Sequence, residues 1–416
     1  MKFNIYSILF YILIALFAMY GCDNADNISP RNTETFIRLF GGEFKDEGVG
    51  ITVLEDNRIA ILASTTETAV VTGQEPNKDI VIILTDSSGT EAEVYAIGNS
   101  GVDETPSGMV YYNGDLYVGG TTNINGDNDF LYLRFSLGSA SVTAYRPIGQ
   151  RDTSEVCFDI ALAENTSVST APLVILAGEI GINDTTQSFD TWISLDGDSV
   201  GSLIPSARYD GRTKSIVPFD RNYYLSLGED QSLGLNTQNI KLSRVQYTNG
   251  VTGDSKDITP SDGFYNATRL LLVNQNIVLT NGYRSTLGQI NDSDGVVFSE
   301  NQTSPNFPGN GDKNFVFLES LQMVTTDIIR ANDGGYLLLG TDSEGKIIRL
   351  VKLNFNLDTI EWSEEYGTTG ELDKAGQVCQ FPDGKIFFTA SVSFQIGGTN
   401  TKIALYKTDV NGQLDP

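Results

Sequence analysis

Seven short apolar runs recur along this chain of 416 residues, and their spacing constrains the fold more than any other feature. Each ends in small or polar residues: Ile59-Ala60-Ile61-Leu62-Ala63-Ser64, Leu116-Tyr117-Val118-Gly119-Gly120 and Leu173-Val174-Ile175-Leu176-Ala177-Gly178 open the series. Tyr224 to Gly228, Ile277 to Gly282, Tyr336 to Gly340 and Ile386 to Ala390 complete it. With Leu62, Val118, Leu176, Leu227, Leu279, Leu338 and Phe388 as reference points, the spacings are 56, 58, 51, 52, 59 and 50 residues. No long stretch shows helical periodicity. Seven copies of this length, rich in β-forming residues, predict an all-β, seven-bladed β-propeller with four strands per blade.

The sixth copy shows the strands within a repeat. Asp327-Ile328-Ile329-Arg330 reads as the inner strand and Asn332-Asp333-Gly334-Gly335 as a tight turn. Tyr336 to Gly340, Ile347 to Leu353 and Ile360 to Gly367 follow as strands two to four. Asp-Gly and Asn-Gly turns supply the positive φ of a short hairpin, and Asn113-Gly114 and Asp383-Gly384 sit at the same place in their copies. The ends complement each other. Phe36-Ile37-Arg38-Leu39-Phe40 reads as a fourth strand with no blade before it, and Ile403 to Asp409 as a third strand with none after. The expectation is a ring closed by the N-terminal strand completing the last blade, which hides two open edges.

These copies resemble a family of bacterial secreted propellers whose repeat runs Trp-x-x-x-Tyr-Gly-Gly, Asp, then Asp-Gly-Gly-Tyr and a glycine-ended strand. Trp362, Tyr366, Gly367, Asp373, Gly335, Tyr336 and Gly340 carry the resemblance, which is degenerate in blades three to five. It implies fold, not activity. No Ser-x-Asp-x-Gly-x-Thr-Trp box of sialidase-type propellers and no WD-repeat signature is present, and only Gly119-Gly120 looks kelch-like.

The N-terminus addresses location. Lys2 precedes an apolar run from Ile5 to Phe17, and Ala18-Met19-Tyr20-Gly21-Cys22 puts a small residue directly before a cysteine. A charged start, an apolar stretch short for a membrane span and a small residue at the cut are the physics of a secretory signal. The cysteine makes it resemble a bacterial lipoprotein signal, which implies acylation of Cys22, and the acidic residues soon after it, in Asp23-Asn24-Ala25-Asp26, resemble the surface-export signals of Bacteroidetes-type outer-membrane lipoproteins. The rival reading is an ordinary signal cut near Gly21, with Cys22 a chance thiol. The expected organisation is a signal at 1–21, a flexible tether at 22–35 and the propeller at 36–416. The resemblance implies lipid anchoring in the outer membrane, with the cell surface favoured over the periplasmic face. Asp184-Thr185-Thr186, Asp198-Ser199-Val200 and Asp358-Thr359-Ile360 resemble a Bacteroidetes O-glycosylation sequon.

Composition restricts the chemistry. The formal net charge of −26 disfavours nucleic acid and anionic lipid as partners. There is no histidine, so Ser-His-Asp and Cys-His catalysis and histidine metal sites are excluded. Cys157 and Cys379 fall on the inner strands of blades three and seven, across the ring from each other. Two buried free thiols are expected rather than a disulfide.

Connections between second and third strands read as long: 65–77, 121–128, 229–239, 282–294 and 391–401. They share a face with the blade-to-blade connections, and that face is the candidate binding surface. The opposite face carries one large excursion, 300–313. An aspartate precedes the inner strand in six copies: Asp46, Asp103, Asp152, Asp210, Asp262 and Asp373. These could form a carboxylate ring at the channel mouth that attracts cations or a basic partner. The plainer reading is an aspartate bonding backbone amides at each turn. Asn123-Ile124-Asn125-Gly126-Asp127-Asn128-Asp129 alternates oxygen ligands as calcium loops do but lacks the terminal glutamate. No metal site and no cofactor is otherwise expected.

The function that fits best is a non-enzymatic binding or scaffold subunit of an outer-membrane transport, secretion or assembly complex, held to the membrane by its lipid and docked on a membrane-protein partner. One alternative is surface glycan or peptide capture, for which Phe189, Tyr283 and Phe394 are the candidate stacking residues. The other is a carboxylate-based glycosidase or lyase, which would need a close, accessible acidic pair with one pKa raised.

Overall fold

The computed structural model describes residues 35–42, 44–66, 77–150, 152–182, 185–201, 210–230, 238–248, 252–258, 264–274, 277–286, 289–301, 313–318, 322–367, 372–393 and 400–414. These form seven antiparallel sheets, six of four strands and one of three. The inner strands are Asp46–Val53, Glu104–Tyr112, Ser154–Ala163, Gly211–Pro218, Phe264–Asn274, Met323–Arg330 and Lys374–Gln380. Blade seven has the order Lys374–Gln380, Ile386–Val392, Lys402–Thr408, Phe36–Phe40. Phe36 pairs with Lys407 and Phe40 with Ile403, so the first strand closes the ring as expected. Blade three is the exception. Among the described residues the outer edge of its third strand makes two isolated bridges, Ile193 with Val200 and Gln187 with Asp210.

Seven apolar clusters hold the ring, one at each seam between neighbouring blades. A second strand therefore serves two cores at once. Ile61 packs toward blade seven and Leu62 toward blade two. Burial on both faces is why these runs are continuously apolar instead of alternating.

Two details depart from the sequence reading. The inner strand of blade six begins at Met323, four residues before Asp327. In blade five, 282–294 is not a long loop. Tyr283 pairs with Gly295 and Ser285 with Ser293, and an Arg284–Asp294 ion pair of 3.0 Å ties the extended hairpin across. Arg284 and Asp294 are directly opposed in the ladder, so a charge pair replaces the loop that their polarity suggested.

Inner strands of adjacent blades do not pair with one another, which leaves their inner-edge amides to be satisfied otherwise. Side chains of the preceding blade do this at a fixed register. Gly48 N donates to Ser391 Oγ (3.1 Å), Cys157 N to Thr121 Oγ1 (3.0 Å), Ala267 N to Glu229 Oε1 (3.2 Å) and Ala375 N to Thr341 Oγ1 (2.8 Å). These are the small or polar residues that end the apolar runs. At the blade one–two seam the equivalent amide belongs to Pro106, which has none, and Ser64 Oγ is buried without a hydrogen-bond partner. Ser64→Ala is therefore expected to leave stability unchanged or raise it by about 1 kcal/mol, whereas Ser391→Ala lowers it by about 1 kcal/mol. Denaturant titration of both variants checks this, and equal losses would sink the pairing account.

Cys157 and Cys379 are both free thiols, Cys157 buried and Cys379 partly so rather than fully buried. Burial pushes the Cys157 thiol up to about 12 and raises that of Cys379. Neither is expected to react with an aromatic disulfide reagent in the native protein, and both react once it is unfolded. Fast native labelling would contradict that.

Candidate functional site

Every inner strand breaks register at the same place, and that of blade five breaks a second time between Leu272 and Asn274. The breaks fall at Gly48/Gly50, Pro106/Gly108, Cys157/Asp159, Thr213/Ser215, Ala267/Arg269, Thr325/Asp327 and Ala375/Val378. A bulge of this kind re-aims the side chains that follow it. The residues from the bulge to the end of each inner strand line a common cavity of about 520 Å³ to which all seven blades contribute. Apolar side chains such as Ile51, Met109, Ile160, Ile216 and Ile329 line it together with Thr52, Tyr111, Arg269, Asp327 and Gln377, and the surface it presents is as polar as it is apolar. It lies on the side of the bulges nearer the turns joining first and second strands, away from the face favoured by loop length.

Three charged residues sit at its polar end. Arg269 Nη1 donates to Asp159 Oδ1 at 2.8 Å, and Arg269 Nε lies 3.5 Å from Asp327 Oδ1. The other Asp159 oxygen accepts from Ser215 Oγ (2.8 Å) and Ile216 N (2.9 Å), and Asp327 Oδ2 accepts from Val378 N (3.0 Å). Ser215 Oγ in turn accepts from Leu270 N at 3.1 Å. One cluster thus ties the inner strands of blades three to seven. Burial raises the Asp327 pKa against the opposing Arg269 charge, and Asp159 holds Arg269 protonated.

On the other side of the bulges, Lys214 Nζ lies 3.8 Å from the centre of the Phe158 ring. Burial lowers the Lys214 pKa and raises that of Glu229, and Arg212 lies 3.4 Å from both Glu179 and Glu229. Two further carboxylate pairs occupy the seams nearby. Glu104 neighbours Asp79, and Glu155 neighbours Asp129. Burial raises all four pKa values, and Glu104 Oε2 and Glu155 Oε2 have no hydrogen-bond partner. Both glutamates are 0% exposed, so neither can reach a substrate. Their raised pKa values mean that ionisation costs stability above the unfolded value near 4.5, and that the cost is relieved as pH falls. Glu155→Gln is expected to raise unfolding free energy by about 1 kcal/mol at pH 8 and to change little at pH 4. A variant less stable than the parent at pH 8 would refute the shared-burial argument.

The sequence-derived site residues fall into distinct environments. Cys22, Asp262 and Phe394 lie outside the described residues, as do most of the long second-to-third strand connections and 302–312. Asp46 and Asp373 are buried, with Asp46 Oδ2 accepting from Gly42 N (2.9 Å) and Asp373 Oδ1 from Ser393 N (3.0 Å). Asp103, Asp152 and Asp210 are exposed. Asp103 Oδ1 accepts from Lys78 N at 2.9 Å. The residues that share the register of Asp46 and Asp373 are Glu104 and Glu155, whose Oε1 atoms accept from Asn99 N and Gln150 N at 3.2 Å. Backbone capping is the role on display at this register.

In the 123–129 loop, Asn123 Oδ1 accepts from Asp103 N (2.9 Å) and Asn125 Nδ2 donates to Asp129 Oδ2 (2.6 Å). A hollow of about 590 Å³ adjoins it, lined by Asp127, Asp129, Gln150 and Asp152. Among the described residues, no three Asp, Glu, His or Cys side chains converge as a metal ion requires. Phe189 is buried against Phe130, with ring centroids 5.1 Å apart, and Tyr283 is half-buried, so neither offers an open stacking face.

No protein-family model matches the sequence, and no curated protein matches it. Solved structures do. YCF48 bound to D1 peptide matches with a TM-score of 0.52 at 9% identity, over 92% of this chain and 97% of that one. The Dos1 propeller matches with a TM-score of 0.54 at 10% identity, over 91% and 96%. A mutant of the NanB sialidase from Streptococcus pneumoniae gives a TM-score of 0.45 at 11% identity, over 92% and 71%. At these identities the likeness is one of fold.

Proposed function

We propose that this protein is a lipid-anchored, non-enzymatic binding subunit, attached to the outer membrane through Cys22 and docked on a protein partner in a transport, secretion or assembly complex. The observation that carries the docking part is the axial cavity. It is concave and built by all seven blades, and it sets aliphatic side chains beside the polar groups of Thr52, Tyr111, Arg269, Asp327 and Gln377, so it offers a ligand both kinds of contact. The two aspartates at its charged end are bound to Arg269 and to backbone amides, which argues against their service as acid and base. A propeller of this architecture holds a peptide in the YCF48 structure, an analogy of fold alone. The net charge of −26 turns the body away from anionic lipid, so attachment rests on the acyl chain.

The test is affinity isolation of the acylated protein from detergent-solubilised outer membrane, beside a Cys22→Ala form. The reading expects a stoichiometric membrane-protein partner with the parent and loss of membrane fractionation with Cys22→Ala. Recovery as a lone monomer ends the docking reading. Membrane fractionation that survives Cys22→Ala ends the anchor reading.

A further inference from the structure

A separate hollow of about 530 Å³ lies on the other side of the bulges, at the start of the inner strands of blades two and three. That volume falls within the roughly 300–1,000 Å³ of small-molecule sites. Phe158 lines it and is half-buried, yet packs into none of the seven apolar clusters that hold the ring. The residue sits at the register break of blade three. At the breaks of blades two, five and six, the hydroxyls of Ser107, Thr268 and Thr326 donate to main-chain carbonyls at 2.6, 3.0 and 3.3 Å. A phenyl ring has no such bond to make. Lys214 Nζ covers one face of Phe158 but does not line the hollow, so the aromatic surface presented there is clear of the ammonium. An aromatic side chain kept out of the core and open to a hollow is a contact surface for something else.

The rest of the lining narrows the ligand. Pro106 and Val156 extend the apolar surface beside the ring. The Thr105 hydroxyl and the Asn128 amide make no hydrogen bond among the described residues, and Thr121 Oγ1 accepts from Cys157 N at 3.0 Å with its proton left to donate. All three are neutral groups that both donate and accept, as a ligand hydroxyl does. The charged residues are already matched within the protein. Lys78 Nζ donates to Glu47 Oε2 at 2.8 Å, and Asp103 Oδ1 accepts from Lys78 N at 2.9 Å. The excess negative charge of the chain further disfavours an anion. A flat aromatic ligand matches Phe158 but leaves the hydroxyl and amide groups unbonded. A saturated ring with C–H bonds on one face and hydroxyls around its edge matches both.

We propose that this hollow binds a neutral pyranose sugar, its C–H face on Phe158 and its hydroxyls on Thr105, Thr121 and Asn128. The site lies on the face that carries the second-to-third strand connections, among them 123–128. Thr105 and Asp103 of its lining are exposed to solvent. It shares no lining residue with the axial cavity, so this site and the docking reading can each fail without the other.

The probes are the neutral methyl pyranosides of glucose, galactose, mannose, xylose, rhamnose and N-acetylglucosamine, titrated by NMR into the full mature chain carrying Cys22→Ala. At least one is expected to bind saturably with a dissociation constant below about 10 mM. Phe158→Leu, which keeps an apolar side chain but no ring, should weaken that binding about tenfold, and Phe158→Tyr should keep it within about threefold. Asn128→Ala should weaken it about fivefold, the worth of one hydrogen bond. Both positions lie outside the apolar clusters, so thermal midpoints should stay within about 3 °C of the parent. A Phe158→Leu chain that fails to fold leaves Asn128→Ala to decide. Absent saturation by every pyranoside, or undiminished binding to either folded variant, overturns the inference. So does tighter binding of benzyl alcohol than of the best pyranoside, which would make the hollow an aromatic slot. Tighter binding of the methyl glycoside of glucuronic acid would make it an anion site and overturn the inference equally.

Discussion

Arg269→Met is expected to lower the unfolding free energy by about 3–5 kcal/mol at neutral pH, because it strands two buried aspartates without their counter-ion. Asp159 and Asp327 are 2% and 4% exposed, so water cannot replace the guanidinium. Backbone and hydroxyl donors remain on both, and they soften the loss without cancelling a charge. The pH dependence has a definite sign. Asp327 already sits above its ordinary pKa, and removing Arg269, the charge that opposes that rise, lifts it further in the folded state. The deficit is then full at neutral pH and shrinks as pH falls toward the unfolded value near 4. Adding Asp327→Asn to Arg269→Met removes one of the stranded charges, so the double variant should be more stable than Arg269→Met alone. Denaturant titrations at pH 7.5 and pH 4.5 decide the matter. A deficit under about 1 kcal/mol, or one indifferent to pH, would mean the cluster is not an electrostatic unit.

Loss of ring closure should be the other large effect. A chain starting at Gly41 lacks the Phe36–Phe40 strand and exposes the Lys402–Thr408 edge. It also removes Phe36, which is buried edge-on against Phe387 with ring centroids 6.3 Å apart. Compared with a chain starting at Thr35, its thermal midpoint should fall by more than about 10 °C, with concentration-dependent association through the open edge. Calorimetry and sedimentation velocity report the two consequences separately. Phe36→Ala, which keeps the strand, should lose only about 3 kcal/mol and stay monomeric. If the shortened chain matches the longer one in midpoint and mass, the first strand is ornament rather than closure.

The blades were legible in the sequence because their physics is local. Second strands such as Ile59–Thr65 are buried on both faces, which writes an unbroken apolar run into the chain, and Asn-Gly or Asp-Gly turns mark the hairpins. The complementary ends could be read for the same reason. The bulges could not. Val49, Ser107, Phe158, Lys214, Thr268 and Thr326 occupy the break in six blades and share no chemistry, because a bulge is defined by the pairing partner and not by residue type. The Asp159–Arg269–Asp327 cluster was hidden with them, since three residues from three blades meet only once register is known. Register also separates the aspartates. Asp103 lies one residue from the position that Glu104 occupies, and Asp152 three from Glu155, and that slip divides exposed from buried. The usable signal was the polar residue ending each apolar run. Aligning the copies on Thr121, Glu229, Thr341 and Ser391 would have put Glu104 and Glu155 beside Asp46 and Asp373.

The pairing of Phe36 with Lys407 also sets an order in time. The strand made first must wait for the strand made last, so the ring cannot shut until nearly the whole chain has been synthesised. Blades can form their own hairpins meanwhile, but the most sequence-distant contact comes at the end and is slow for that reason. The topology acts as a timer, keeping the ring open until its final blade arrives.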